Sequence, residues 1–278
     1  MPTESIPLIY EKRLVAFIDV MGFKELLFAR DETFEALKAY YNTVAEFLDG
    51  KSSVYSTTAP DDSFKKLLVS DSVILSVLLT EDSEENIKRA SRFFSTIGLL
   101  QYMLAFRSKI WTRGAVSVGD LYIDEESNIL VGPAFVQAYE LEKFADYPRV
   151  VIDPKVFKFF GFSPNTFIEK INTVGFQGRL MGVNAPPRYD IAPFINDAVQ
   201  IDWFRQAFDR TEQLGDFFDD LAIRQNQSQD LFEKSTKLIR YLKESLFVAK
   251  EETNYPRTTN NLLGSRLDQI SVRFNGLS

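Results

Sequence analysis

The stretch Leu14-Val-Ala-Phe-Ile-Asp-Val-Met-Gly-Phe23 is an apolar run broken by one acid, Asp19, and closed by a glycine. A second run of the same kind, Leu67-Leu-Val-Ser-Asp-Ser-Val-Ile-Leu75, carries Asp71 in its middle. A carboxylate beside a core is costly unless positive charge meets it. The chain contains no histidine and no cysteine to share that task. The simplest partner is a hard divalent cation taking oxygen ligands, which points to phosphate chemistry.

Working outward, residues 13–20 predict a buried strand that Gly22 ends. Apolar residues at Phe34, Leu37, Tyr41, Val44 and Leu48 recur at helical spacing and stop at Gly50, predicting an amphipathic helix. Residues 65–69 and 72–79 predict two strands meeting at Ser70-Asp71, so that Asp71 sits on a tight hairpin with its carboxylate off the sheet end. From Glu84 to about Arg107, Ile87, Ala90, Phe94, Ile97 and Leu104 mark a second long helix, with Glu84 and Glu85 favourably near its amino terminus. Residues 110–123 read as a strand that returns through the polar turn Asp124–Asn128 into residues 129–131. Pro133 suits the first turn of a third helix running to about Ala145, and residues 149–152 form another strand before Pro154.

This order predicts an α+β fold: a ferredoxin-like βαββαβ unit forming a mixed sheet with helices on one face. Residues 155–200 are expected to hold further strands of the same domain. After Trp203 the text turns acidic and helical, with Leu231, Ser235, Leu238, Leu242 and Leu246 marking a packing face and residues 224–230 a polar connector. The expected division is a domain over 8–200 and a C-terminal helical extension over 201–278.

Composition narrows the chemistry. Among 278 residues, 39 acidic against 32 basic give a net charge of −7, which argues against nucleic acid or an anionic membrane as partner. Zero cysteine removes disulfides, thiolate nucleophiles and Cys-based zinc sites, and zero histidine removes the usual general base. Catalysis must then run on carboxylates, cations, amides and hydroxyls. The amino terminus lacks the basic-then-apolar pattern of a signal peptide, and the apolar stretch 67–79 is about half a bilayer span, so a cytoplasmic protein is expected.

In this order of elements, Phe17-Ile-Asp-Val-Met-Gly-Phe23 and Ser70-Asp71-Ser-Val resemble the two metal-binding motifs of class III nucleotidyl cyclases. Arg113-Gly-Ala-Val-Ser-Val-Gly119 resembles that family's following strand and Gly132 to Glu142 its next helix; the similarity covers roughly residues 10–155. The resemblance implies two Mn²⁺ or Mg²⁺ ions held by Asp19, Asp71 and the carbonyl of Val20, with the triphosphate on the amides of Met21, Gly22 and Phe23. Two metals about 4 Å apart can acidify a ribose hydroxyl and neutralise the leaving pyrophosphate without histidine. Arg113 has two readings, a phosphate-binding catalytic cation or a salt bridge to an acidic neighbour such as Asp120.

Departures from the family pattern are equally informative. The lysine and aspartate with which purine-specific members read adenine align with Leu67 and Ile129, so a purine edge would find no polar partner there. The ribose-orienting Asn and transition-state Arg align with Val136 and Glu140. With the Ala138-Tyr-Glu-Leu-Glu142 helix, these features resemble the pyrimidine cyclases of bacterial Pycsar anti-phage defence. That resemblance implies cyclic UMP or cyclic CMP made from UTP or CTP, UTP slightly favoured, by a homodimer, with the product activating a separate effector. Tyr55 is the candidate for contacting the base. The alternatives are a purine cyclase with a rebuilt pocket and a catalytically silent nucleotide sensor.

Overall fold

The computed structural model of the chain describes residues 8–28, 32–49, 64–179, 191–193, 199–204 and 213–253. Strand β1 (Glu11–Val20) leads through two helices, α1 (Phe23–Phe28) and α2 (Glu32–Leu48), to the hairpin β2 (Phe64–Val69) and β3 (Ser72–Leu78). Helix α3 (Ser83–Arg107) returns to the long strand β4 (Thr112–Asp124), followed by β5 (Ile129–Val131), α4 (Pro133–Glu142) and β6 (Val150–Ile152). Helices α5 (Pro154–Phe160) and α6 (Pro164–Arg179), strands β7 (Ile191–Pro193) and β8 (Val199–Ile201), and helices α7 (Leu214–Gln225) and α8 (Gln229–Thr253) complete the order.

The strands lie in the order β2-β3-β1-β4-β6-β8-β7, and β5 pairs with the far end of β4. The pairs β2–β3, β3–β1 and β1–β4 are antiparallel, and β4–β6 is parallel. The first four strands therefore form the expected ferredoxin-like unit inside a mixed sheet.

One expectation needs correction: helices cover both faces of this sheet. Leu14, Ala16, Ile18 and Val20 of β1 face a core shared with α2 and α3, while Val15 and Phe17 pack under Ala134 and Ala138 of α4. That double covering is the physical reason why β1 reads as a continuous apolar run rather than an alternating one. Helix α4 ends at Glu142, one turn short of Ala145. Its approach needs two glycines without side chains: a Cβ on Gly132 would lie 2.4 Å from the Asp120 carbonyl oxygen, and one on Gly119 would touch Ala134.

Within α2 the buried side is shifted by one residue from the predicted face. Tyr40, Val44 and Phe47 are buried, whereas Tyr41 is exposed. Helix α3 carries all five of its predicted core residues inside and is capped by Asp82, whose carboxylate accepts from the amides of Glu84 and Glu85. Two helices that the sequence did not predict, α5 and α6, precede the strands expected over 155–200; Pro154 and Pro164 open them at positions where a missing amide costs nothing. The later strands β7 and β8 do join the sheet.

The expected division at residues 200 and 201 falls within β8. Beyond it, Trp203, Phe204 and Phe217 close around Phe106 of α3, and the Phe106 and Phe217 rings stack at 4.5 Å. Leu238, Leu242 and Leu246 of α8 are buried in the same core as Leu14 and Ile97, so the apolar stripe packs within the chain. Asp202, 1% exposed, accepts from the hydroxyls of Tyr241 and Ser245 at 2.7 Å each and ties α8 to the strand end. Among the described residues no helix is long and apolar enough to cross a membrane.

Candidate active site

Two strand ends bring the two aspartates together. Because β1 and β3 run antiparallel with Ile18 opposite Val73, the last residues of β1 and the turn before β3 share one edge of the sheet. Ser70 takes a left-handed φ of 56° to make the two-residue turn, as the hairpin reading requires. The Ser72 hydroxyl, one residue beyond Asp71, donates to Asp19 Oδ1 at 2.9 Å. Helix α2 fixes the same turn from the other side, with the Tyr40 hydroxyl donating to the Asp71 carbonyl at 2.8 Å and that of Tyr41 to the Ser70 carbonyl at 3.3 Å.

The electrostatics are those of an acid surplus. Burial pushes the Asp19 carboxyl above its ordinary value, and the negative charge of Asp71 adds to that push; the Ser72 bond and Arg113 oppose it. Tyr40 keeps its proton throughout the ordinary range, because burial and the nearby tyrosine and aspartates all disfavour a phenolate. Such a pair of carboxylates suits a divalent cation of the Mg²⁺ type, which takes one or two protein carboxylates and completes its shell with water and phosphate. Among the described residues no group of three acidic side chains converges as an all-protein metal cage.

Arg113 stands opposite Asp19 in the β1–β4 register. Its guanidinium is ion-paired with Glu142, the last residue of α4, and not with Asp120, which pairs with Lys12 at 2.6 Å. Glu142 is 4% exposed, and burial raises its carboxyl while Arg113 opposes that rise. In the sequence Glu142 figures only as the end of the Ala138-Tyr-Glu-Leu-Glu142 motif, with no site role; its spacing of three from Tyr139, whose ring packs on Phe17 at 5.2 Å, is a further signal that it faces the sheet.

The phosphate loop is only partly as expected. Gly22 takes a φ of 77°, a conformation that favours glycine, and Phe23 begins α1. The Met21 amide, however, donates to the Trp111 carbonyl at 2.8 Å, so of the three candidate amides it is already engaged. Trp111 is in turn capped by the Arg224 guanidinium of α7 at 4.4 Å. Val20 ends β1 opposite Thr112. Tyr55 lies outside the described residues. Leu67 is buried with Phe17 and Ile74 beneath α4, while Val136 and Glu140 lie on the outer side of that helix.

No family model and no curated protein matches the chain. Among solved structures it is similar to the monomeric guanylyl cyclase domain of the RhoGC fusion protein from the aquatic fungus Blastocladiella emersonii. That likeness has 13% identity and a TM-score of 0.44 over 69% of this chain and 95% of that one. It is also similar to the catalytic core of a rhodopsin-guanylyl cyclase with converted specificity in complex with ATPαS (12% identity, TM-score 0.38, 69% and 96% covered). A third likeness is to the non-canonical dimeric guanylyl cyclase domain of the Blastocladiella protein (15% identity, TM-score 0.37, 55% and 84% covered).

Proposed function

We propose that the chain is a metal-dependent nucleotidyl cyclase that converts a pyrimidine nucleoside triphosphate, UTP before CTP, into its 3′,5′-cyclic monophosphate and pyrophosphate. The observation that carries this reading is the meeting of Asp19 and Asp71 at one sheet edge, in motifs that resemble the metal-binding pair of class III cyclases. Asp19, Asp71 and the Val20 carbonyl would hold the ions. Once bound, two divalent ions acidify the ribose 3′-hydroxyl and neutralise the leaving pyrophosphate. The chain's own part is positional: Tyr40 and Ser72 fix the acids, and Gly22 lets phosphate approach the main chain near the amides of Gly22 and Phe23. Arg113 places a positive charge beside the same edge.

Pyrimidine preference is supported by what stands where purine readers would be: Leu67 belongs to the apolar core under α4, and Ile129 is half-buried on β5. Neither offers a hydrogen bond to a purine edge, at a cost of about 1–3 kcal/mol for each group left unsatisfied. A homodimer is supported by the apolar side chains exposed around β5 and α4, namely Val131, Val136, Tyr139 and Phe144, the last 70% exposed. The cyclic product would act on a separate effector, a role that rests on the Pycsar resemblance.

Val136 and Glu140 in place of the usual catalytic pair favour a second reading, a sensor that binds nucleotide without turning it over. Incubating the purified protein with each of the four nucleoside triphosphates and Mn²⁺, then weighing the products, separates the two. Cyclic UMP or cyclic CMP with pyrophosphate release, lost in Asp19→Ala and Asp71→Ala, supports the cyclase. Nucleotide binding without pyrophosphate supports the sensor, and a cyclic purine product removes the pyrimidine assignment.

A further inference from the structure

Glu142 stands in an electrostatically poor position. It is 4% exposed, it is the last residue of α4, where the helix dipole disfavours an acid, and that last turn carries no basic residue. Its main compensation comes from Arg113 on β4, with a smaller one from the neighbouring Lys143. Arg113 has a second acid within reach of its charge, since Asp19 is its direct cross-strand neighbour in the β1–β4 register. One guanidinium thus stands between two carboxylates, and the ion pair it makes is with Glu142.

A bare Arg–Asp pair across adjacent strands would place a fixed cation on the oxygens that a metal ion needs. We propose that Glu142 is a positioning residue that draws the Arg113 guanidinium toward α4 and so keeps the Asp19 carboxylate open to a divalent cation. In this role Glu142 acts through Arg113 rather than as a metal ligand. The inference rests on the metal-site reading above and deepens it: the same arginine that could block the site is held on a buried acid. An ordinary structural salt bridge would affect melting without affecting metal affinity.

The test is an Mn²⁺ titration of the purified full-length chain, read by loss of the free-ion EPR signal, for wild type, Asp19→Asn, Glu142→Gln and Glu142→Gln/Arg113→Gln, with thermal melts alongside. Glu142→Gln is expected to weaken Mn²⁺ binding about tenfold, equivalent to ~1.4 kcal/mol. Removing the freed arginine in the double variant is expected to restore affinity to within about twofold of wild type, since only the coupled pair is at issue. Should Glu142→Gln fail to fold, Glu142→Asp carries the same comparison, since its carboxylate stops one methylene short of Arg113 and releases the guanidinium. Wild-type affinity in the single variant, or no recovery in the double, overturns the role of Glu142. Equal binding by wild type and Asp19→Asn overturns the metal site itself, and the two failures are distinguishable by that variant.

Discussion

The Tyr40 hydroxyl donates to the main-chain carbonyl of Asp71 at 2.8 Å, so α2, the second helix after the strand of Asp19, pins the turn of Asp71. Tyr40→Phe keeps the buried ring and removes only this bond. We expect a loss of about 0.5–1.5 kcal/mol in urea denaturation. Mn²⁺-dependent turnover should fall more than that stability loss explains, because the turn no longer presents Asp71 in one place. Unchanged turnover would mean that Ser70 and Ser72 suffice to set the turn.

Asp19 gives a pH prediction with a definite sign. Its folded carboxyl is raised above the ordinary value of 3.8, so its contribution to stability is complete below that pH and is lost as pH rises through the folded value. Without metal, Asp19→Asn should therefore melt higher than wild type at pH 7, with the difference closing under acid conditions. Saturating Mn²⁺ should raise the wild-type Tm and leave the asparagine variant where it was. Calorimetric scans at several pH values, with and without Mn²⁺, check both halves.

Gly114 of β4 stands opposite Ile18 of β1, and a Cβ there would lie 2.3 Å from the Phe17 carbonyl oxygen. Main chain cannot step aside as a flexible side chain can. Gly114→Ala should cost about 1–3 kcal/mol or prevent folding, as overpacking does elsewhere. It should also displace Arg113 relative to Asp19. A chemical-denaturation midpoint equal to that of wild type would show that the two strands are free to separate.

The C-terminal helices are expected to matter for the whole fold. Leu242→Ala empties a fully buried position in the core shared with α3 and should cost about 2–5 kcal/mol. Tyr241→Phe removes the hydroxyl that bonds Asp202 and accepts from the Phe204 amide, for about 1–3 kcal/mol. One cooperative transition in both variants is the expected result. A separate early transition for residues 213–253 would instead mark an independent unit.

What the sequence by itself determined was whatever depends on local pattern. The run at residues 14–20, the turn at Ser70-Asp71, the α3 periodicity and the Asp124–Asn128 return each announce themselves within a few residues, and their order yields the ferredoxin-like unit and the shared edge of Asp19 and Asp71. The helices over 154–179 were hidden because scattered proline and phenylalanine obscure periodicity, while both prolines in fact open helices. Tertiary structure alone decided which acid takes Arg113, that Met21 gives its amide to Trp111, that Tyr40 rather than Tyr41 turns inward, and that α4 covers the second face of the sheet. Each of these is a contact between residues dozens of positions apart. Spacing along a chain fixes which side of an element a residue occupies, but only packing fixes what lies opposite.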